Sequence, residues 1–250
     1  MFRLFRWVVC CLLVAGAGFA DEPSAKPAGE LYEAKVFKSP QNESQVVNYR
    51  LLIPDGYDAA PDSRFPLVLF LHGAGERGAD NRRQLIHGAA QFSTPERRRK
   101  YACFVAAPQC PGGRWWSDSL EPVMELVKQL QSDYRIDSSR LYVTGLSMGG
   151  FGTFELTTRY PDVFAAAAPI CGGGDPTQAK TLAALPLWVF HGDADRVVPV
   201  GFSRSMVKAI ESAGGMPKYT EYPGVGHDCW TETYANPDFH AWLFAQKRAE

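Results

Sequence analysis

The stretch RLYVTGLSMGG, residues 140–150, decides the reading of this chain. Its first six residues read as a strand buried on both faces, a short apolar run bounded by glycine. Gly145 and Gly149 then flank Ser147 two positions to each side, and GGFGTFELTTRYP, residues 149–161, continues as a helix. Small residues at those two positions let the backbone turn sharply from strand to helix and hold the serine in a strained conformation. A plain glycine-rich turn has the same letters. The distinction rests on whether a base, an acid and oxyanion donors lie where a nucleophilic serine needs them.

The same strand type recurs outward from this stretch. Residues 31–53 read as alternating strand, LYEAKVF and then QVVNYRLLIP. FPLVLFLHG (65–73), YACFVAAPQ (101–109), FAAAAPICG (164–172), PLWVFHG (186–192) and KYTEYPG (218–224) follow. Helices are expected between them. EPVMELVKQLQSDY (121–134) carries Val123, Leu126, Val127 and Leu130 at helical spacing, VGFSRSMVKAIESAGG (200–215) stops at Gly-Gly, and PDFHAWLFAQKR closes the chain. Buried strands alternating with helices mean an α/β fold, a mostly parallel central sheet with helices on both faces.

In an open α/β sheet, functional groups gather at the carboxyl ends of the strands. Ser147 is placed there. Asp193 and Asp195 follow the strand 186–192, and spacing alone leaves open which of them orients a base. His227, in the loop after the strand 218–222, is the candidate base. His72 and His191 each precede a glycine at a strand end, where loop hydrogen bonding is the ordinary reading. His87 and His240 fall in predicted helices. Met148 supplies the backbone N–H after the nucleophile. The loop HGAGERGADN, from His72, offers a second oxyanion donor at Ala74, with Gly75 as the alternative. No Gly-Lys-Ser/Thr follows that loop, which argues against a phosphate cradle.

The rest of the chain bounds the function. It has 250 residues, 46% hydrophobic, with a net charge of −1, so it carries no electrostatic footprint for nucleic acid. ERRRK (96–100) reads as a solvated helix end. Arg3 and Arg6, an apolar segment at 7–15 and small residues before Ala20 predict a signal peptide at 1–20, and with it a secreted or periplasmic protein without stable membrane insertion. Residues 21–44 read as an extension with the first strand, and residues 45–250 as the catalytic domain. Of six cysteines, Cys10 and Cys11 lie in the leader. The other four, Cys103, Cys110, Cys171 and Cys229, include no CxxC pair and suggest neither metal nor cofactor. Export permits a disulfide among Cys110, Cys171 and Cys229, and the sequence does not name the pair. Trp115, Trp116 and Trp230 lie near the expected site and are candidate substrate-binding walls, with loop packing as the plainer role. The segment between the sixth and seventh strands is too short for a lid domain, so an open site is expected. Glu76 and Arg77 are expected to pair and hold the oxyanion loop.

LHGAGERGADN, APQCPGGRWW, RLYVTGLSMGG, PICGGGD, VFHGDADRVVP and GVGHDCW together resemble the secreted bacterial esterases of the α/β-hydrolase superfamily. Those are the phospholipase/carboxylesterase and dienelactone hydrolase-like proteins, close to the prolyl oligopeptidase catalytic domain. The resemblance runs from about residue 45 to residue 247, and the order Ser, Asp, His agrees with it. It implies an α/β-hydrolase fold and a serine carboxylesterase acting on small soluble esters or on acyl groups of polysaccharide, such as acetyl or feruloyl. It also implies Asp195 as the acid and favours Ala74 as the oxyanion donor. Cys229 departs from it, standing where a small hydroxyl or apolar residue is expected. A prolyl oligopeptidase-type peptidase is the enzymatic alternative, and a non-catalytic binding module on the same fold is the other.

Overall fold

A computed structural model describes residues 27–42 and 45–249. The predicted leader at 1–20, with Cys10 and Cys11, lies outside the described residues. One eight-stranded sheet runs through the molecule: β1 (Tyr32–Lys38), β2 (Val46–Leu52), β3 (Phe65–Leu71), β4 (Phe104–Pro108), β5 (Ile136–Leu146), β6 (Ala166–Ile170), β7 (Trp188–Gly192) and β8 (Lys218–Tyr222). Their spatial order is β1-β2-β4-β3-β5-β6-β7-β8. The β1–β2 and β2–β4 pairs are antiparallel, and every pair from β4 to β8 is parallel.

Alternation along the buried strands divides the core in two. Leu67, Leu69 and Leu71 of β3 face one side with Leu141 and Val143 of β5. Val68 and Phe70 face the other with Tyr142. The first side is covered by the helices Leu120–Asp133, Met148–Arg159 and Gly201–Ser212, through residues such as Leu126, Phe154 and Ile210. The second is covered by Phe92, Tyr234, Phe239 and Leu243, the last two from the helix Pro237–Ala245. Strands covered on both faces are apolar without break, which is why β3 and β4 are so plain in the sequence.

Several boundaries differ from expectation. β5 begins at Ile136, four residues early, with a register shift where it joins β3. Its first half reads as polar because Asp137 accepts from the Ser139 N–H and hydroxyl and binds Arg140, so those side chains are satisfied locally. His87 lies in a turn and not in a helix, just before Gly88 at φ +62°. A short helix at Trp230–Ala235, directly after the His227 loop, has no clear sequence signal. ERRRK is a helix, Pro95–Lys100, capped by Thr94, whose hydroxyl accepts from Arg97 N–H. Between β6 and β7 stand only a 3-10 turn and the four-residue helix Ala179–Leu182. Among the described residues no helix is long and apolar enough to cross a membrane.

Candidate active site

The carboxyl ends of β3, β5, β7 and β8 converge on Ser147. It follows β5 directly and precedes the helix Met148–Arg159, with φ +53° and ψ −117°. An L-residue adopts such angles only at a cost of about 1–3 kcal/mol, which the surroundings must hold in place. They do so by close backbone approach. A Cβ on Gly149 would stand 1.9 Å from Leu71 O, and one on Gly145 would stand 2.5 Å from Gly149 O. Ser147 N–H donates to Ile170 O at 2.9 Å and also meets Cys171 Sγ at 3.3 Å.

His227 and Asp195 complete a continuous hydrogen-bonded line. His227 Nδ1 stands 2.7 Å from Asp195 Oδ2, and Nε2 stands 2.9 Å from Ser147 Oγ. The carboxylate can only accept, so the ring proton is on Nδ1 and Nε2 is free to accept from the serine hydroxyl. Asp195 Oδ1 accepts from Val197 and Val198 N–H at 2.8 and 2.9 Å. Burial opposes the charge of Asp195, but the bonds from His227, Val198 and Val197 outweigh it and hold its carboxyl below the ordinary value. Asp193 does something else: its Oδ1 accepts from Gly224 N–H at 2.6 Å and ties the β7 loop to the β8 loop.

Ala74 and Met148 each open a helical turn, at Ala74–Glu76 and Met148–Arg159. An N–H in that position has no acceptor within its own helix, so it is available to a ligand. The two turns abut, since a Cβ on Gly73 would lie 3.6 Å from Ser147 Cβ. His72 braces the first turn from beneath. Its Nδ1–H donates to Gly73 O at 2.6 Å and its Nε2 accepts from Cys110 N–H at 2.9 Å. Arg77 Nε donates to Ala74 O at 2.9 Å. The expected Glu76–Arg77 pair does not form; Glu76 Oε1 instead lies 3.8 Å from His87 Nε2. The reason is the direction of the turn, which leads Arg77 back to the loop carbonyls and Glu76 inward.

The three tryptophans separate. Trp230 stands edge-on to His227, ring centroids 5.1 Å apart, and also meets the His87 ring at 5.6 Å. Trp115 is exposed, with the Arg77 guanidinium 6.0 Å from its ring centre. Trp116 corrects the expectation of a substrate wall. It is 1% exposed, its indole N–H donates to His72 O at 2.9 Å, and it packs on Gly152. Its fused ring and single donor fill a gap beneath the Ala74–Glu76 turn, a structural use of the same chemistry. Cys103, Cys110, Cys171 and Cys229 are all free thiols and all buried, so the disulfide permitted by export is not formed.

Sequence order alone left two features hidden. His191, read as loop packing, stands behind Asp195, and Cys171 reaches the Ser147 N–H. Both follow from strand ends that are neighbours in space but distant in sequence.

This strand order, with a strained serine between β5 and a helix, is that of the α/β-hydrolases. The chain has the α/β-hydrolase fold and is similar to esterases of that superfamily. Residues 114–236 match the profile of the phospholipase/carboxylesterase family. A thermostable esterase of known structure superposes with a TM-score of 0.84 at 40% identity, over 88% of this chain and 64% of that one. Poly(3-hydroxyalkanoate) depolymerase C of Paucimonas lemoignei is 33% identical over 48% of this chain and 30% of its own length. Probable feruloyl esterase C of Aspergillus niger is 27% identical over 74% of this chain and 68% of its own. The chain spans less than half the length of the first curated relatives it matches.

Proposed function

We propose that the chain, through a catalytic domain at residues 45–250, hydrolyses carboxylic esters by way of an acyl-enzyme. The observation that carries this reading is the line from Ser147 Oγ through His227 to Asp195, at 2.9 and 2.7 Å, on a strained elbow. Ser147 Oγ attacks the ester carbonyl while its proton passes to His227 Nε2. Asp195 stabilises the resulting imidazolium. The carbonyl oxygen, now anionic, takes hydrogen bonds from the N–H groups of Met148 and Ala74. Collapse expels the alcohol, which takes the proton from His227, and leaves the acyl group on Ser147. Water, deprotonated by His227, then attacks that acyl group and releases the acid and the free serine.

Trp230, beside His227, and the exposed Trp115 are the substrate walls in this reading. Flat apolar surfaces at an open site suit an aromatic acyl group such as feruloyl, or an acyl group carried by polysaccharide. Names among the relatives agree with that class, since several are feruloyl esterases. With the leader at residues 1–20, the enzyme acts outside the cytoplasm.

Ser147→Ala tests the reading. Turnover of a short-chain nitrophenyl ester should fall to background while circular dichroism stays that of the parent. Unchanged turnover would remove Ser147 from the chemistry. A panel of acetyl, long-acyl and feruloyl esters, acetyl-xylan and a prolyl peptide assigns the substrate, and cleavage of the peptide alone would overturn the ester reading.

A further inference from the structure

His191 lies on β7 and is wholly buried. Val198 O can only accept, so its 2.9 Å contact with His191 Nε2 puts the ring proton on that nitrogen. The same Nε2 stands 3.3 Å from Asp195 Oδ2, the oxygen that serves His227. On its other side, Nδ1 meets Ser203 Oγ at 2.7 Å, and that oxygen lies 3.0 Å from Gly172 O. His191 is thus fixed at both nitrogens, between the loop carrying Asp195 and the helix Gly201–Ser212.

A carboxylate held at one oxygen still swings about it. Val197 and Val198 N–H hold Asp195 Oδ1, which leaves Oδ2 to be placed by whatever donates to it. When His227 takes the serine proton, its new charge pulls on that oxygen. A second, immobile donor keeps the oxygen in line. We propose that His191 is a positioning residue for the hydrolysis, its Nε2–H holding Asp195 Oδ2 in line with His227 Nδ1. This role rests on the reading of Ser147, His227 and Asp195 given above.

The ionisable groups around the ring are consistent with a neutral donor. They are Asp195 and His227 on the loops, and Glu221, the register partner of His191 on β8, which is bound by Arg204. Burial is the largest influence and holds the His191 pKa below the ordinary histidine value.

The test compares His191→Phe with His191→Gln in the full chain. Phenylalanine keeps a ring and removes both nitrogens. The glutamine amide carries two protons, enough for Val198 O and Asp195 Oδ2. His191→Phe should lower kcat by about 10²-fold, the scale of a small misplacement of a reacting group, with KM unchanged. The acid limb of kcat/KM should move to lower pH, because a poorly held carboxylate stabilises the His227 imidazolium less. The downfield proton resonance of His227 Nδ1–H should weaken as well, and His191→Gln should recover most of all three. If His191→Phe does not fold, His191→Asn, whose amide falls short of Asp195, is read in the same way. A fall in Tm alone, with kcat, acid limb and resonance unmoved, would overturn the proposal. So would a glutamine variant as impaired as the others. Failure of the triad reading is seen separately, as residual turnover in Ser147→Ala.

Discussion

Acid should weaken this fold in a window set by its buried histidines, of which His72 and His240 are moved furthest. Burial pushes His72 and His240 down to about 4, from an ordinary value of 6.5. The structure shows why neither ring accepts a second proton. His72 donates to Gly73 O and accepts from Cys110 N–H, so both nitrogens are committed. His240 donates to Tyr234 O at 2.9 Å, and its Nδ1 is buried with no hydrogen-bond partner. Between pH 6.5 and 4 the unfolded chain binds a proton on each ring and the folded chain does not. Stability is therefore fully present above about pH 6.5 and is lost as pH falls toward 4. The shift corresponds to about 3 kcal/mol per histidine, with a mid-window slope near 1.4 kcal/mol per pH unit for each. Together that is comparable with the whole stability of an ordinary domain. Carboxylates held low, such as Glu221 at about 2, act below this window because their unfolded values are lower. Urea unfolding at half-unit steps from pH 7 to 4.5 measures the slope. His240→Phe should be less stable at pH 7 but should lose stability less steeply on acidification, by one proton's worth. A parent curve flat across the window, or a variant with the parent's slope, would refute the reasoning.

Two further outcomes follow from the site. Asp195→Asn should lower kcat by about 10³- to 10⁴-fold, because the amide favours the wrong tautomer of His227. Asp193→Asn should cost less than about tenfold, since asparagine can still accept from Gly224 N–H; nitrophenyl ester kinetics compare the two. Gly149→Ala puts a Cβ 1.9 Å from Leu71 O, so the backbone of β3 or of the elbow must shift. Thermal melting should show more than about 3 kcal/mol of destabilisation, with activity lost even in the soluble fraction.

The strands that build the sheet were legible because they are buried on both faces, and an apolar run without a polar break belongs between two covering layers. Ser147 and His227 were legible for a related reason: chain order places their loops on one edge of a parallel sheet. Choosing Asp195 over Asp193 was beyond spacing, because both follow β7 within three residues and only the tilt of the loop separates them. Trp116 misled because adjacent residues of a loop face different ways, and one of the Trp115–Trp116 pair had to fill the core. His191 and Cys171 stayed hidden because their partners come from other strand ends, and no local periodicity encodes that meeting. Glu76 and Arg77 diverge for the same reason, because neighbours in sequence need not be neighbours in space.

The four free cysteines have a practical consequence. Cys110, Cys171 and Cys229 are 0% exposed and Cys103 is 4% exposed, and burial pushes the Cys103 thiol up to about 12. A thiol that does not meet solvent does not react with a maleimide. The described surface is therefore silent toward thiol reagents, and a single introduced cysteine becomes its only handle. Met216 is 93% exposed and precedes β8 at its amino end, on the edge of the sheet opposite Ser147. A cysteine there would tether the protein to a bead or a dye in one defined orientation, its cleft turned toward the solution.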